Sequence, residues 1–286
     1  MASDPIRPSG QSDLLTRIIS AAVLAPIAVV AVIVGGLPLT ALVALVAAIA
    51  FWEWTAIGNA SDPMWARVLA LACLVVGLFG LATLRSDWVI LIAAAAVLAV
   101  LAGTRMPPLR WMGLGLVYVA VPCAGFLLLR DAEPFGLYAI LFLVVVVWAT
   151  DIAAYFGGRA LGGPKLWPAV SPKKTWSGAL TGLAAAIAAG GITIGLTKAG
   201  DYRAGLLLAA PLSIAAQAGD LFESAVKRKF GVKDSGSIIP GHGGVLDRVD
   251  GLFGAAALAW LLAVAGLGGG ILLLPGTVVR VAESAP

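Results

Sequence analysis

AGLLLAAPLSIAAQAGDLFESAVKRKFGVKDSGSIIPGHGGVLDRVD, residues 204–250, passes from an apolar half into a charged half without a break. Residues 204–226 are long and apolar enough to cross a bilayer, which takes about 20 helical residues. Residues 224–250 then gather Lys227, Arg228, Lys229, Lys233, His242 and Arg248 beside Asp234, Asp247 and Asp250, with Gly241, Gly243 and Gly244 among them. Such a segment offers cations for phosphate, carboxylates for a metal and glycines that let backbone N–H groups approach oxygen. It predicts phosphate chemistry at a membrane face.

The rest of the chain is of the same greasy kind. Of 286 residues, 60% are hydrophobic and 12% charged, with a mean hydropathy of +1.00. A soluble domain carries about 25% charged residues. Apolar runs fall at 18–35, 38–57, 66–84, 88–104, 112–129, 135–157, 177–197, 204–226 and 251–274, predicting an all-α polytopic transmembrane bundle of about nine spans. Continuous Ala/Leu/Val runs exclude a β-barrel, whose strands alternate. Pro26, Pro122 and Pro211 fall inside spans, where neighbouring helices can satisfy the freed carbonyls. Residues 1–16 read as a disordered lead, 17–150 as scaffold helices, 151–276 as helices carrying the chemistry and 277–286 as a tail. The first apolar run lacks a small-residue cleavage site and reads as a retained helix. Cys73 and Cys123 each lie in an apolar run and read as packing residues.

Orientation follows from the 19 lysines and arginines. With the N-terminus in the cytoplasm, only Arg85, Arg130, Lys198, Arg203 and Arg280 fall outside. The bias rests mainly on the two long polar segments, 158–176 and 227–250, and puts both on one cytoplasmic face of a cell inner membrane.

Glu53, Asp151, Asp220, Glu223 and Asp250 lie within or at the edge of spans, where a carboxylate is costly and normally faces a cavity, a partner or an ion. For Glu53 two readings stand: a buried pair with an Arg or Lys that fixes helix packing, or a functional group. Asp220, Glu223, Ser224 and Lys227 sit at helical offsets of three, four and seven and share one face. Asp247 and Asp250 repeat the spacing at the start of the last helix, where Gly251 and Gly254 admit a close neighbour. Carboxylates on two helix ends suit Mg²⁺ bound together with substrate phosphate; one histidine and two cysteines cannot build a soft-metal site. His242, the only histidine, reads as a phosphate donor or loop anchor. In the upstream segment, Asp151 precedes a Gly-rich turn with Arg159, and Ser171, Lys173, Lys174 and Thr175 lie just before the seventh span. Cations at a helix N-terminus make an anion-binding surface; the plainer alternative is a headgroup anchor.

Ser224, Val226, Lys227-Arg228, Lys233-Asp234, Gly236, His242-Gly243-Gly244, Asp247-Arg248 and Asp250 resemble the signature of the phosphatidate cytidylyltransferases, or CDP-diacylglycerol synthases, without departure. The family's upstream element is similar to Asp151, Ala154, Tyr155, Gly158, Arg159 and Ser171 to Trp176, with one departure at Ile152-Ala153. The resemblance implies CTP and phosphatidate as substrates, CDP-diacylglycerol and pyrophosphate as products, a bilayer setting, required Mg²⁺, assistance by K⁺ and a homodimer; no nucleic-acid partner is expected. It implies metal ligands at Asp220 and Asp247, and catalytic roles for Asp220, Asp247, Asp250, Lys227 and Arg248. Substrate contacts are assigned to Asp151, Arg159, Ser171, Lys173, Lys174, Thr175, Glu223, Ser224, Arg228, Lys233, His242, Gly243 and Gly244. Two competitors are weaker. The CDP-alcohol phosphotransferases need Asp-Gly followed by Ala-Arg and a further Asp pair, whereas Leu252-Phe253 follows Gly251 and no Asp follows Asp250. A transporter would place its charges at the midplane within inverted repeats.

Overall fold

A computed structural model describes residues 10–58, 64–84, 107–199, 201–241 and 243–272. The apolar runs become helices: α1 (Gly10–Val34), α2 (Gly36–Ile57), α3 (Met64–Leu84), α4 (Pro107–Arg130), α5 (Gly136–Leu161), α6 (Trp176–Thr197), α7 (Tyr202–Lys229) and α8 (Leu246–Val264). A two-stranded antiparallel hairpin, β1 (Lys165–Trp167) and β2 (Ser171–Thr175), separates α5 from α6.

Six helices, α2 to α7, are long and apolar enough to cross a membrane. The polytopic α-helical architecture therefore stands, with the hairpin as its one addition among the described residues. The run expected at 88–104, the tail at 277–286 and residues 1–9 of the lead lie outside the description; from Gly10 the chain is helical. The last helix starts five residues before the expected span and ends at Val264 instead of 274, because Gly266 takes a left-handed φ of 70°. The prolines sit inside α1, α4 and α7 as expected, and both cysteines are free thiols, Cys123 buried in the core.

Two hydrophobic cores meet on α8. One joins α2, α3 and α4 to Leu246 and Phe253 of α8. The other joins α5, α6 and α7 to Ala255, Ala256, Ala259 and Ala263. Outward-facing apolar residues such as Leu196, 80% exposed, and Leu207, 75% exposed, give the bundle an apolar exterior that matches lipid.

Helix contact inside a bilayer has no hydrophobic driving force and relies on small residues that let backbones close in. On α6, Gly178, Gly182, Ala186 and Gly190 recur every fourth residue and all are buried. A Cβ at Gly178 would lie 2.7 Å from the Ala154 carbonyl oxygen, and one at Gly182 2.8 Å from that of Thr150, both on α5. The same device joins α7 to α8: a Cβ at Gly254 would lie 3.2 Å from the Gly219 Cα and strike the Ala215 carbonyl. Gly254→Leu is therefore expected to push α8 off α7 and destabilise the protein by at least about 1–3 kcal/mol, read as a lower melting temperature in detergent.

Candidate active site

The end of α7 is set by local chemistry. Gly231, at φ 71°, follows the helix; its N–H donates to the Arg228 carbonyl at 3.1 Å, and the Val232 N–H donates to that of Lys227 at 2.9 Å. These are the two bonds of a Schellman cap, which needs a left-handed residue and so favours glycine. The basic run Lys227-Arg228-Lys229 occupies the last turn, where the helix dipole favours cations.

The upstream segment is folded by its own glycines and hydroxyls. Gly162 and Gly163, at φ 62° and 95°, turn the chain out of α5 into β1. Thr175 ends β2 and caps α6, its Oγ1 accepting the Gly178 N–H at 3.1 Å. The Ser177 hydroxyl donates to the Gly162 carbonyl and ties the turn to the helix start. Lysines expected simply to precede a helix thus lie on a strand. β2 is short and carries Pro172, so no strand pattern marks it.

The hairpin arches over a cavity of about 640 Å³ whose wall includes Asp151, Tyr155, Arg159, Lys165, Lys173, Lys174, Thr175, Gln217 and Asp220. The upstream polar segment meets α7 here, since Lys174 of β2 forms an ion pair with Asp220. Both partners keep about a third of their side-chain surface exposed. Asp220 lies close enough to Asp151 and Asp250 for its charge to be felt at each. Its Oδ1 is also 3.4 Å from the Ser224 hydroxyl.

A second cluster lies behind the first. Lys227 Nζ bridges Glu223 Oε2 at 2.6 Å and Asp247 Oδ1 at 2.5 Å, and the Glu223 side chain has no exposed surface. Asp247 also accepts the Ser235 N–H at 3.0 Å and the Gly244 N–H at 3.1 Å, both on Oδ2. Burial alone would raise the Asp247 carboxyl, but the Lys227 and Ser235 hydrogen bonds outweigh it and hold it below the usual carboxylate range. Asp247 therefore anchors the 233–245 loop onto α7.

The predicted residues thus divide. Asp151, Arg159, Lys173, Lys174, Thr175 and Asp220 share the cavity wall. Glu223, Lys227 and Asp247 form the buried cluster, and the Gly244 N–H is spent on Asp247. Asp250 accepts the N–H of its neighbour Gly251 at 2.7 Å. Ser171 opens β2 beside the cavity, and Arg228, Lys233 and Arg248 lie exposed on the same end of the bundle; Gly243 bridges Ile239 across the loop. His242 lies outside the described residues. Gln217 and Lys165 join the cavity without having been singled out, and Tyr155, part of the upstream element, joins it without an assigned role. Gln217 was detectable as an amide in an apolar run three residues before Asp220, hence on the same helical face. Among the described residues, no three His, Cys, Asp or Glu side chains form a metal-holding group by themselves.

Comparison with known proteins identifies the family. The profile of the cytidylyltransferase family matches residues 15–265. A phosphatidate cytidylyltransferase of Brucella suis is 47% identical over 251 residues, covering 87% of this chain and 93% of the relative. Proteins of the same name from Bacillus subtilis, 42% identical over 53% of this chain and 57% of the relative, and Helicobacter pylori, 48% identical over 49% and 53%, are also similar. With the family profile spanning both halves of the bundle and both polar segments, this chain belongs to the cytidylyltransferase family.

Proposed function

We propose that this protein is an integral-membrane nucleotidyltransferase that makes CDP-diacylglycerol and pyrophosphate from CTP and phosphatidate. The observation that carries the reading is the cavity beside the hairpin: Arg159, Lys165, Lys173 and Lys174 line, together with Asp151 and Asp220, a space of about 640 Å³. It sits where polar segments leave an apolar bundle, so a nucleotide can come from water and a diacyl lipid from the bilayer. That end of the bundle is taken as cytoplasmic by the Lys/Arg bias. Residues 151–276 carry the chemistry and 17–150 the scaffold, in a homodimer of subunits with about nine spans each in the inner membrane.

The phosphate oxygen of phosphatidate is already ionised near neutral pH, so the attack needs no strong base. That oxygen bonds to the α-phosphorus of CTP, the α–β bridge breaks, and its electron pair leaves with pyrophosphate. The barrier is the approach of one anion to another. The four cations on the wall offset that repulsion and hold the departing pyrophosphate, an electrostatic role made stronger by a partly desolvated site. Arg228, Lys233 and Arg248 extend the positive surface.

A Mg²⁺ ion, when bound, supplies further charge neutralisation at the phosphates. The donor set fits a hard cation that takes the remainder of its shell from phosphate and water. Asp220 is the open carboxylate on the cavity; Asp247, the second ligand in the proposal, is enclosed by Lys227 and two N–H groups and becomes available only if that ammonium withdraws. K⁺ assistance belongs to the same proposal.

The test is pyrophosphate release by detergent-purified protein given phosphatidate, each of the four NTPs, and Mg²⁺ or EDTA. Release that requires CTP, lipid and metal together supports the reading; no release with any nucleotide from folded protein overturns it and favours a transporter. Lys174→Ala, which removes one wall cation and frees Asp220, is expected to raise KM for CTP or lower kcat by about tenfold or more. Full activity of that variant would leave Lys174 as a headgroup anchor.

A further inference from the structure

Glu53 sits four residues before the end of α2, in the N-terminal half of the chain, yet the residue is 2% exposed and is enclosed by the loop that leads into α8. Oε1 accepts the Val245 N–H at 3.0 Å; Oε2 accepts the Leu246 N–H at 2.8 Å and the Ser235 hydroxyl at 3.2 Å. All three donors are neutral. The expected alternative of a buried pair with Arg or Lys is not the arrangement found. Val245 provides no side-chain cap for α8, so Glu53 supplies from another helix the acceptor that the first N–H groups lack.

The enclosure extends to the loop glycines. A Cβ on Gly236 would lie 2.5 Å from Glu53 Oε1, and one on Gly244 2.8 Å from Oε2. Gly236 is held small by the Glu53 carboxylate, and Gly244 by the Ser235 hydroxyl together with that carboxylate. Ser235 passes the restraint on: while its hydroxyl donates to Glu53, its oxygen accepts the Asp247 N–H at 3.3 Å and its own N–H donates to Asp247 Oδ2 at 3.0 Å.

We infer that Glu53 is a positioning residue for the nucleotidyl transfer, setting the start of α8 and, through Ser235, the placement of Asp247 against Lys227. It touches no residue of the cavity wall, so its loss acts on turnover more than on CTP capture. In Glu53→Gln the amide turns N–H groups toward donors in place of one acceptor oxygen. Its kcat is expected to fall about 10- to 100-fold, as for other supporting-shell losses, with KM for CTP within about twofold. Amide exchange at Val245 and Leu246 should accelerate over wild type. A folded Glu53→Gln protein with wild-type kcat and unchanged protection at these two amides overturns the inference. So does a fall in melting temperature with kcat of the folded fraction unchanged, which is the signature of a role in packing alone. Should Glu53→Gln not fold, Ser235→Ala keeps both backbone bonds and cuts only the relay to Asp247. It is expected to lower kcat by about threefold, and wild-type turnover there would also overturn the inference. The activity readout rests on the proposed reaction, whereas the exchange readout does not. An inactive wild type with Glu53-dependent protection would sink the reaction and leave the loop anchor standing.

Discussion

Asp220→Asn is expected to lower CDP-diacylglycerol formation by about 10³-fold, the loss of roughly 4 kcal/mol of transition-state stabilisation that a metal-bearing carboxylate can supply. The substitution is nearly isosteric and keeps one acceptor oxygen for Ser224. It breaks the ion pair with Lys174, but both partners are about one third exposed, and such pairs contribute little to stability. The melting temperature in detergent should therefore stay close to wild type while turnover collapses. The surviving activity should require more Mg²⁺ than wild type does. Turnover within about threefold of wild type at the same Mg²⁺ concentration would remove Asp220 from the proposed metal site.

Lys227→Met is expected to damage the fold as well as the activity. The ammonium is the only charge compensating Glu223 and Asp247 at contact distance, at 2.6 Å and 2.5 Å, among the described ion pairs. Removing one member of a buried ionic cluster leaves uncompensated charge and costs about 3–5 kcal/mol. For a chain of this size that corresponds to a fall of roughly 10 °C in melting temperature. Adding Glu223→Gln removes one of the two stranded carboxylates and should recover part of the loss, since residues in one network do not act additively. If the double variant melts no higher than Lys227→Met, charge compensation is not what Lys227 provides.

These two carboxylates and one ammonium lie within seven residues of one helix, at offsets that place them on one face, yet they serve different neighbours. Asp220 opens on the cavity shaped by the hairpin and α5, whereas Glu223 and Lys227 turn inward to α8. Helical periodicity gives direction relative to one axis. It carries no information about which element lies opposite, and the partner is what separates a cavity carboxylate from a buried one.

The hairpin shows the same limit from the strand side. Residues 165–167 and 171–175 hold three lysines and a proline in eight positions and alternate in no way that marks a strand. Their pairing is closed by the turn at 168–170, where the Val170 N–H donates to the Trp167 carbonyl at 3.1 Å, and the hairpin is joined to the helices by the turn at Gly162-Gly163 and by contact with the start of α6. A chain read by period alone returns a charged loop there.

The membrane class, the helices of the described regions and the close approach at Gly254 were legible along the chain. Each rests on interactions within one helical turn or on transfer of a contiguous run into lipid, and both are local properties. The meeting of Lys174 with Asp220, the closing of Asp247 against Lys227, and the capping of α8 by Glu53 of α2 were not. Glu53 and Leu246 are 193 residues apart, and their bond exists because α2 and α8 share a core; only helix packing brings a lone carboxylate to a helix start that lacks a side-chain acceptor of its own.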